Sequence, residues 1–286
     1  MSSRRPRQRI GRLVDVAVDG FAGPVHVRED GPPKAPTLVL IHGFSGSMHW
    51  YGRVVPLLAD RFRLIRVDLL GHGATGGGPA DAPLQARVVQ AVLEALDVTG
   101  AVAVGHSFGA DVAVTLAETS DRVDALVLVT QAPDYSAANI PRAGVVMTVP
   151  LLAGVLYGTA RGLAVVLGPV LVATRGRAGG RDLAAQGLRD FRSLDIGMFP
   201  VILIERRVRL QQRPLDAQVL DAGKPTMAIL GSRDHFYGDR AAPRYRAAGA
   251  RVEILSNSGH SPLVELPGRT ADLLRDFASE VFSRSR

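Results

Sequence analysis

Cysteine is absent from these 286 residues, which excludes disulfides and a thiolate nucleophile. With no cysteine and no paired-histidine helix there is no metal-ligand spacing either, so neither a metal nor another cofactor is expected. Lysine is nearly absent, two against 32 arginines, and aromatic residues make up only 5%. That scarcity matters because single strands of nucleic acid are gripped by aromatic platforms set among basic residues. None interleaves the arginines here, so nucleic acid is not an expected partner. Acidic residues are missing from residues 1–12, which hold five arginines. Residues 134–213 carry eleven arginines against five acids, and the remainder is mildly acidic, with 18 bases and 22 acids. The net charge of +7 therefore comes from an N-terminal arm and one internal interval.

What is present is a globular composition, 47% hydrophobic, enough for a sizeable core. The apolar runs 38–41, 102–104, 126–129 and 227–230 are too continuous for strands with one wet face and predict a buried parallel sheet. Val88, Val89, Val92, Leu93 and Leu96 recur at helical spacing, as do Leu273, Leu274, Phe277 and Val281. Residues 13–18 and 25–27, parted by a turn over 20–24, predict an edge hairpin.

The pentapeptide Gly105-His106-Ser107-Phe108-Gly109 lies between a buried-strand pattern, 101–104, and a helical pattern, 111–118. A serine on so sharp a turn needs an unusual backbone, and bulky neighbours two residues either side would clash, so Gly105 and Gly109 suit the place. The turn would aim Ser107 out of the sheet and set the amide of Phe108, at the positive end of the new helix, toward an oxyanion. Downstream, the strand 226–230 runs into Gly231-Ser232-Arg233-Asp234, and the strand 251–255 into a glycine-flanked loop tipped by His260. Groups at the carboxyl ends of such strands face ligands. Serine, aspartate and histidine in that chain order are the order of a nucleophilic triad.

Four motifs together make the chain resemble the α/β-hydrolase fold superfamily, in its cap-containing serine hydrolase branch, over residues 13–282. They are His42-Gly43-Phe44 after the strand 38–41, Asp68-Leu69-Leu70-Gly71-His72-Gly73, the pentapeptide around Ser107, and Ser258-Gly259-His260-Ser261-Pro262-Leu263-Val264-Glu265. The resemblance implies an α/β fold: a mostly parallel sheet of about eight strands, helices on both faces and a helical cap. Beyond the basic arm at 1–12, which the charges mark, a body at 13–133 and 224–286 is expected, with a cap at 134–223 inserted after the sixth strand. Ser107, Asp234 and His260 are the expected catalytic residues, with the amides of Phe44 and Phe108 as oxyanion donors. Asp134, after the strand 126–129 where some relatives keep their acid, is the alternative to Asp234. His42 is expected to brace its loop by hydrogen bonding, His72 and His106 to be satisfied structural histidines, and Asp68 to fix loop backbone.

Serine at the elbow argues against haloalkane dehalogenases and epoxide hydrolases, which use aspartate there. The expected reaction is hydrolysis of a carboxylic ester. The alternatives are a carbon–carbon bond hydrolase, another serine-dependent acyl hydrolase, or a non-catalytic binding protein. Residues 143–174 hold a single charge, Arg161, and the first 18 hold none, which reaches the lower limit for a membrane span. Gly144, Pro150, Gly154 and Gly158 interrupt the run, so buried cap helices or an apolar surface touching lipid are the preferred readings. Both favour a small lipophilic ester. A cytoplasmic location follows, with peripheral contact to an anionic membrane left open by the basic arm and cap.

Overall fold

The computed structural model describes residues 11–137, 159 and 180–284. Its frame is an eight-stranded sheet: β1 (Arg12–Val18), β2 (Phe21–Asp30), β3 (Thr37–Ile41), β4 (Arg63–Val67), β5 (Ala101–His106), β6 (Val123–Val129), β7 (Thr226–Gly231) and β8 (Arg251–Leu255). The spatial order is β1-β2-β4-β3-β5-β6-β7-β8. The pairs β1·β2 and β2·β4 are antiparallel and the other five are parallel. The fully buried runs of β3, β5 and β7 show why their sequences lack polar alternation: both faces are covered.

Period-two alternation then divides the core into two layers. Val39, Ile41, Ala103, Leu126, Leu128, Ala228 and Leu230 join the helices α1 (Ala82–Ala95) and α2 (Phe108–Thr119) on one face. Leu38, Leu40, Val102, Val104, Val127, Met227 and Ile229 meet the C-terminal helix, α8 in chain order (Pro267–Arg284), on the other. The edge hairpin is tighter than its glycines and proline suggest. Asp19 and Gly20 alone make the turn, and β2 begins at Phe21. Pro24 is tolerated because it lies beyond the reach of β4, where β2 pairs only with β1.

Between β6 and β7 lie α3 (Gly180–Ser193), a helical run of Met198–Pro200, a π segment Val201–Glu205 and α4 (Arg206–Gln212), and then α5 (Leu215–Ala222). Leu215 and Val219 of α5 join the core beside α2. The short helices α6 (Ala242–Ala247) and α7 (Pro262–Glu265) flank β8. Apart from Thr159, the apolar run 143–174 lies outside the described residues, as does the arm up to residue 10. Among the described residues no helix is long and apolar enough to cross a membrane.

The chain leaves β3 toward β4 on one side and β5 toward β6 on the other, so a crevice opens at the carboxyl ends of β3 and β5. Tyr51, fully buried, ties the two strands there. Its hydroxyl lies 2.9 Å from the carbonyl of Ile41 and 3.0 Å from that of Val104, sharing one proton between them.

Candidate active site

Ser107 stands at this crevice with φ 51° and ψ −123°, a conformation that side-chain-bearing residues rarely adopt. The surrounding glycines show what holds it. A Cβ on Gly105 would run into the backbone of Gly109 and Ala110, and one on Gly109 into the carbonyls of Ile41 and His42. Glycine at 109 is thus required by the end of β3 rather than by Gly105. Phe108 is the first residue of α2 and lines the cavity, so its amide belongs to a helix N-terminus and has no intrahelical acceptor.

His260 lies in the loop between β8 and α7, with its Nε2 3.0 Å from Ser107 Oγ. Its Nδ1–H donates to Asp234 Oδ2 over 2.8 Å, and Asp234 Oδ1 accepts the amide of Phe236, also at 2.8 Å. The Asp234 side chain is 0% exposed. With both oxygens engaged and water excluded, the carboxylate fixes the tautomer of the ring and turns its acceptor nitrogen toward the serine.

The histidine loop is moored to the sheet by its own backbone. The carbonyl of His260 accepts His106 Nε2–H at 2.7 Å and the hydroxyl of Thr130 at 2.8 Å. Glu265 grips both sides of the loop tip, accepting the amides of Gly259 at 2.7 Å and Ser261 at 3.0 Å. Burial lowers the pKa of His106 to about 3, so its ring stays neutral. The expectation of a satisfied His106 names no partner, because the carbonyl that it and Thr130 serve lies 154 and 130 positions away and is brought close only by the fold.

The loop after β3 crosses directly over the serine. A Cβ on Gly43 would lie 2.9 Å from Ser107 Cβ and 3.0 Å from the carbonyl of His106. His42 braces that loop: Nδ1–H donates to Gly43 O at 2.8 Å and Nε2 accepts the amide of Leu69 at 3.0 Å. Burial lowers its pKa, and that of His72, which packs edge-on against it, falls to about 3. Asp68 fixes backbone, accepting the amides of Met48 at 2.7 Å and Ala74 at 2.9 Å, and it also takes the His26 Nδ1–H at 2.8 Å. Asp134 is engaged elsewhere. It pairs with Arg244 at 2.6 Å and accepts the amide of Ser136 at 2.7 Å, and none of its described contacts is with His260.

Ser107 and His260 open into a cavity of ≈ 420 Å³. Phe44, Trp50, Phe199, Ile202, Leu203 and Phe236 give it largely apolar walls, while Gln131, Tyr135 and Arg206 are polar members of the lining. Arg206 arrives from α4, and its Nε donates to the fully buried carboxylate of Asp111 at 2.8 Å. Arg209 Nη2, at 3.0 Å, and Gln131 Nε2, at 2.8 Å, share that carboxylate. Among the described residues no cluster of histidine and acidic side chains could hold a metal ion.

Comparison with known proteins agrees with this architecture. The pattern of the family described as alpha/beta hydrolase fold matches residues 36–267. An uncharacterized protein of Mycobacterium tuberculosis is 29% identical over 275 residues, covering 85% of this chain and 75% of that protein. A hydrolase of Pseudomonas aeruginosa PA01 superposes with a TM-score of 0.72 at 24% identity, over 94% of this chain and 99% of its own. The enol-lactonase of Burkholderia xenovorans LB400 does so with a TM-score of 0.69 at 21% identity, over 90% and 96%. At such identities the structural likeness speaks for the fold alone.

Proposed function

Because the chain belongs to the alpha/beta hydrolase fold family, we propose that it is a serine hydrolase that cleaves carboxylic esters through an acyl-enzyme. The observation that carries this reading is the relay from Ser107 Oγ to His260 Nε2 at 3.0 Å and from Nδ1 to Asp234 at 2.8 Å, set at the mouth of an apolar cavity. Neutral His260 takes the proton of Ser107 as its oxygen attacks the ester carbonyl. Asp234 keeps the tautomer that leaves Nε2 free to accept, and it stabilises the imidazolium that forms. The amides of Phe44 and Phe108 receive the oxyanion, each contributing about 3 kcal/mol in the transition state. The alcohol leaves with the proton from His260. Water then repeats the sequence, releasing the acid and restoring the serine.

The aromatic and aliphatic walls suit an apolar acyl group. In the same reading residues 13–133 and 224–286 form the catalytic body, and the interval 134–223 forms a cap that shapes the pocket. A fluorophosphonate probe tests the assignment, with an ester chain-length series beside it. Labelling of the wild type and its loss in Ser107→Ala are expected, together with hydrolysis that rises beyond acetate esters. Labelling that persists in Ser107→Ala would place the nucleophile elsewhere.

A further inference from the structure

The guanidinium of Arg206 uses only part of its bonding capacity. The residue is 4% exposed and lines the same cavity as Ser107. Its Nε serves Asp111, but Nη1 and Nη2 are buried with no hydrogen-bond partner among the described residues. The ring of Tyr135 covers its central carbon at 4.8 Å. A guanidinium meant only to tie α4 to α2 would be expected to use its fork bidentately on the carboxylate. Here Asp111 divides its oxygens among Arg206, Arg209 and Gln131. Two cations thus face one carboxylate, and buried donors left unpaired are costly, so the arrangement is complete only with a further acceptor. Asp111 lies one turn into α2 from Ser107, roughly 6 Å along the helix axis. Arg206 and Ser107 line one cavity, so a substrate held at the serine shares that cavity with the guanidinium.

We propose that Arg206 is a specificity-determining residue that receives a carboxylate on the substrate, so that the preferred substrates are esters carrying a second, ionised carboxyl group a few bonds from the scissile carbonyl. This rests on Ser107 being the nucleophile. The apolar walls hold the carbon chain between the two ends, and Gln131, anchored on the same Asp111, stands beside the anion.

The test compares kcat/KM by pH-stat titration for monoethyl succinate, glutarate and adipate against ethyl butyrate, pentanoate and hexanoate. Pentanoate esters of glycolic acid and of propanol place the charge, or none, on the alcohol side instead. At least one acidic series is expected to exceed its neutral partner, and the acyl-side and alcohol-side arms show which half of the ester carries the anion. In Arg206→Gln, whose amide still serves Asp111, the acid-to-neutral ratio is expected to fall by about 100-fold. Should that variant fold poorly, Arg206→Met, which leaves Asp111 paired with Arg209, is expected to show the same loss of ratio. Thermal stabilisation of the wild type by millimolar glutarate, lost in the variant, reads the anion site without turnover. Hydrolysis of neutral esters with no preference for acidic ones overturns the proposal, as does a preference that survives at Arg206→Gln. Water in the ≈ 80 Å³ cavity that Arg206 also borders would then be the partner of its nitrogens. If no ester is hydrolysed and no probe labels Ser107, the hydrolase reading fails, and glutarate stabilisation alone decides: dependence on Arg206 keeps the site, and its absence removes it.

Discussion

Replacing Asp234 with asparagine changes one atom and, by the geometry here, inverts the histidine. Asp234 Oδ1 accepts the amide of Phe236 at 2.8 Å, and that amide can only donate. An asparagine in this place must keep its carbonyl oxygen there, since its NH2 would face another N–H with no water to intervene. Its NH2 is then turned to His260 Nδ1, at the 2.8 Å now spanned by a carboxylate. The imidazole nitrogen must become the acceptor, and the ring proton moves to Nε2, which faces Ser107 Oγ at 3.0 Å. A protonated Nε2 cannot take the serine proton. Loss of the correct tautomer and of the charge opposite the imidazolium is expected to lower kcat about 10³- to 10⁴-fold, or ~4–5.5 kcal/mol of barrier. The fold is expected to survive, because every hydrogen bond at the position is replaced. Initial rates on a soluble ester near neutral pH, with thermal melting as a control, measure both effects. A well-folded Asp234→Asn enzyme that keeps more than a tenth of wild-type kcat would refute the argument. So would an equal loss in Asp134→Asn, which is expected only to weaken a partly exposed pair with Arg244, costing ~1 kcal/mol or less.

The neutral histidines give the protein an acid limb. His106 and His72 have pKa values lowered to about 3 by burial, so the unfolded chain binds protons below pH ~6.5 that the fold refuses. Stability therefore drops as pH falls through that point, by roughly 2 kcal/mol per histidine at pH 5. His106→Phe keeps the ring volume, loses the donor to the His260 carbonyl at a cost of about 1 kcal/mol near neutrality, and is expected to show a gentler acid limb in urea melts. An acid limb unchanged by this substitution counts against the assignment. Asp190 acts in the opposite sense: burial lifts its pKa to about 6 and leaves Oδ2 without a partner among the described residues. Its ionised form costs stability above pH 6, and that cost disappears as pH falls toward 4. Asp190→Asn is thus expected to raise the melting temperature at pH 7 by on the order of 5 °C and to have little effect near pH 4. An equal shift at both pH values would mean that charge is not the cause.

The sheet was legible because strands buried on both faces are continuously apolar, as in the runs that became β3, β5, β6 and β7. β4 is less plain: Arg66 is 3% exposed and owes its burial to Asp30 on β2, a pairing that residue order does not display. The placement of Ser107, Asp234 and His260 beyond strand ends was readable from local context, since each follows a strand into a turn with its own signature. Long-range partners were not. His106 acts on a carbonyl 154 positions away, and Arg206 is neutralised by an acid 95 positions away. Before folding, Arg206 is one of eleven arginines in a basic interval. Nothing in its neighbours along the chain marks it for burial.

The hydrogen bonds described around His260 and Asp234 all come from the sheet and its immediate loops: Phe236 behind the acid, His106 and Thr130 on the histidine carbonyl, Glu265 at the loop tip. Of the cavity walls, Phe199, Ile202, Leu203 and Arg206 come from the interval between β6 and β7, facing Phe44, Trp50 and Phe236 from the loops at the sheet. One wall of the pocket and the frame of the relay are thus separate pieces of chain. A lineage, or a designer, can therefore reshape that wall through the 180–212 stretch while inheriting the proposed proton relay intact.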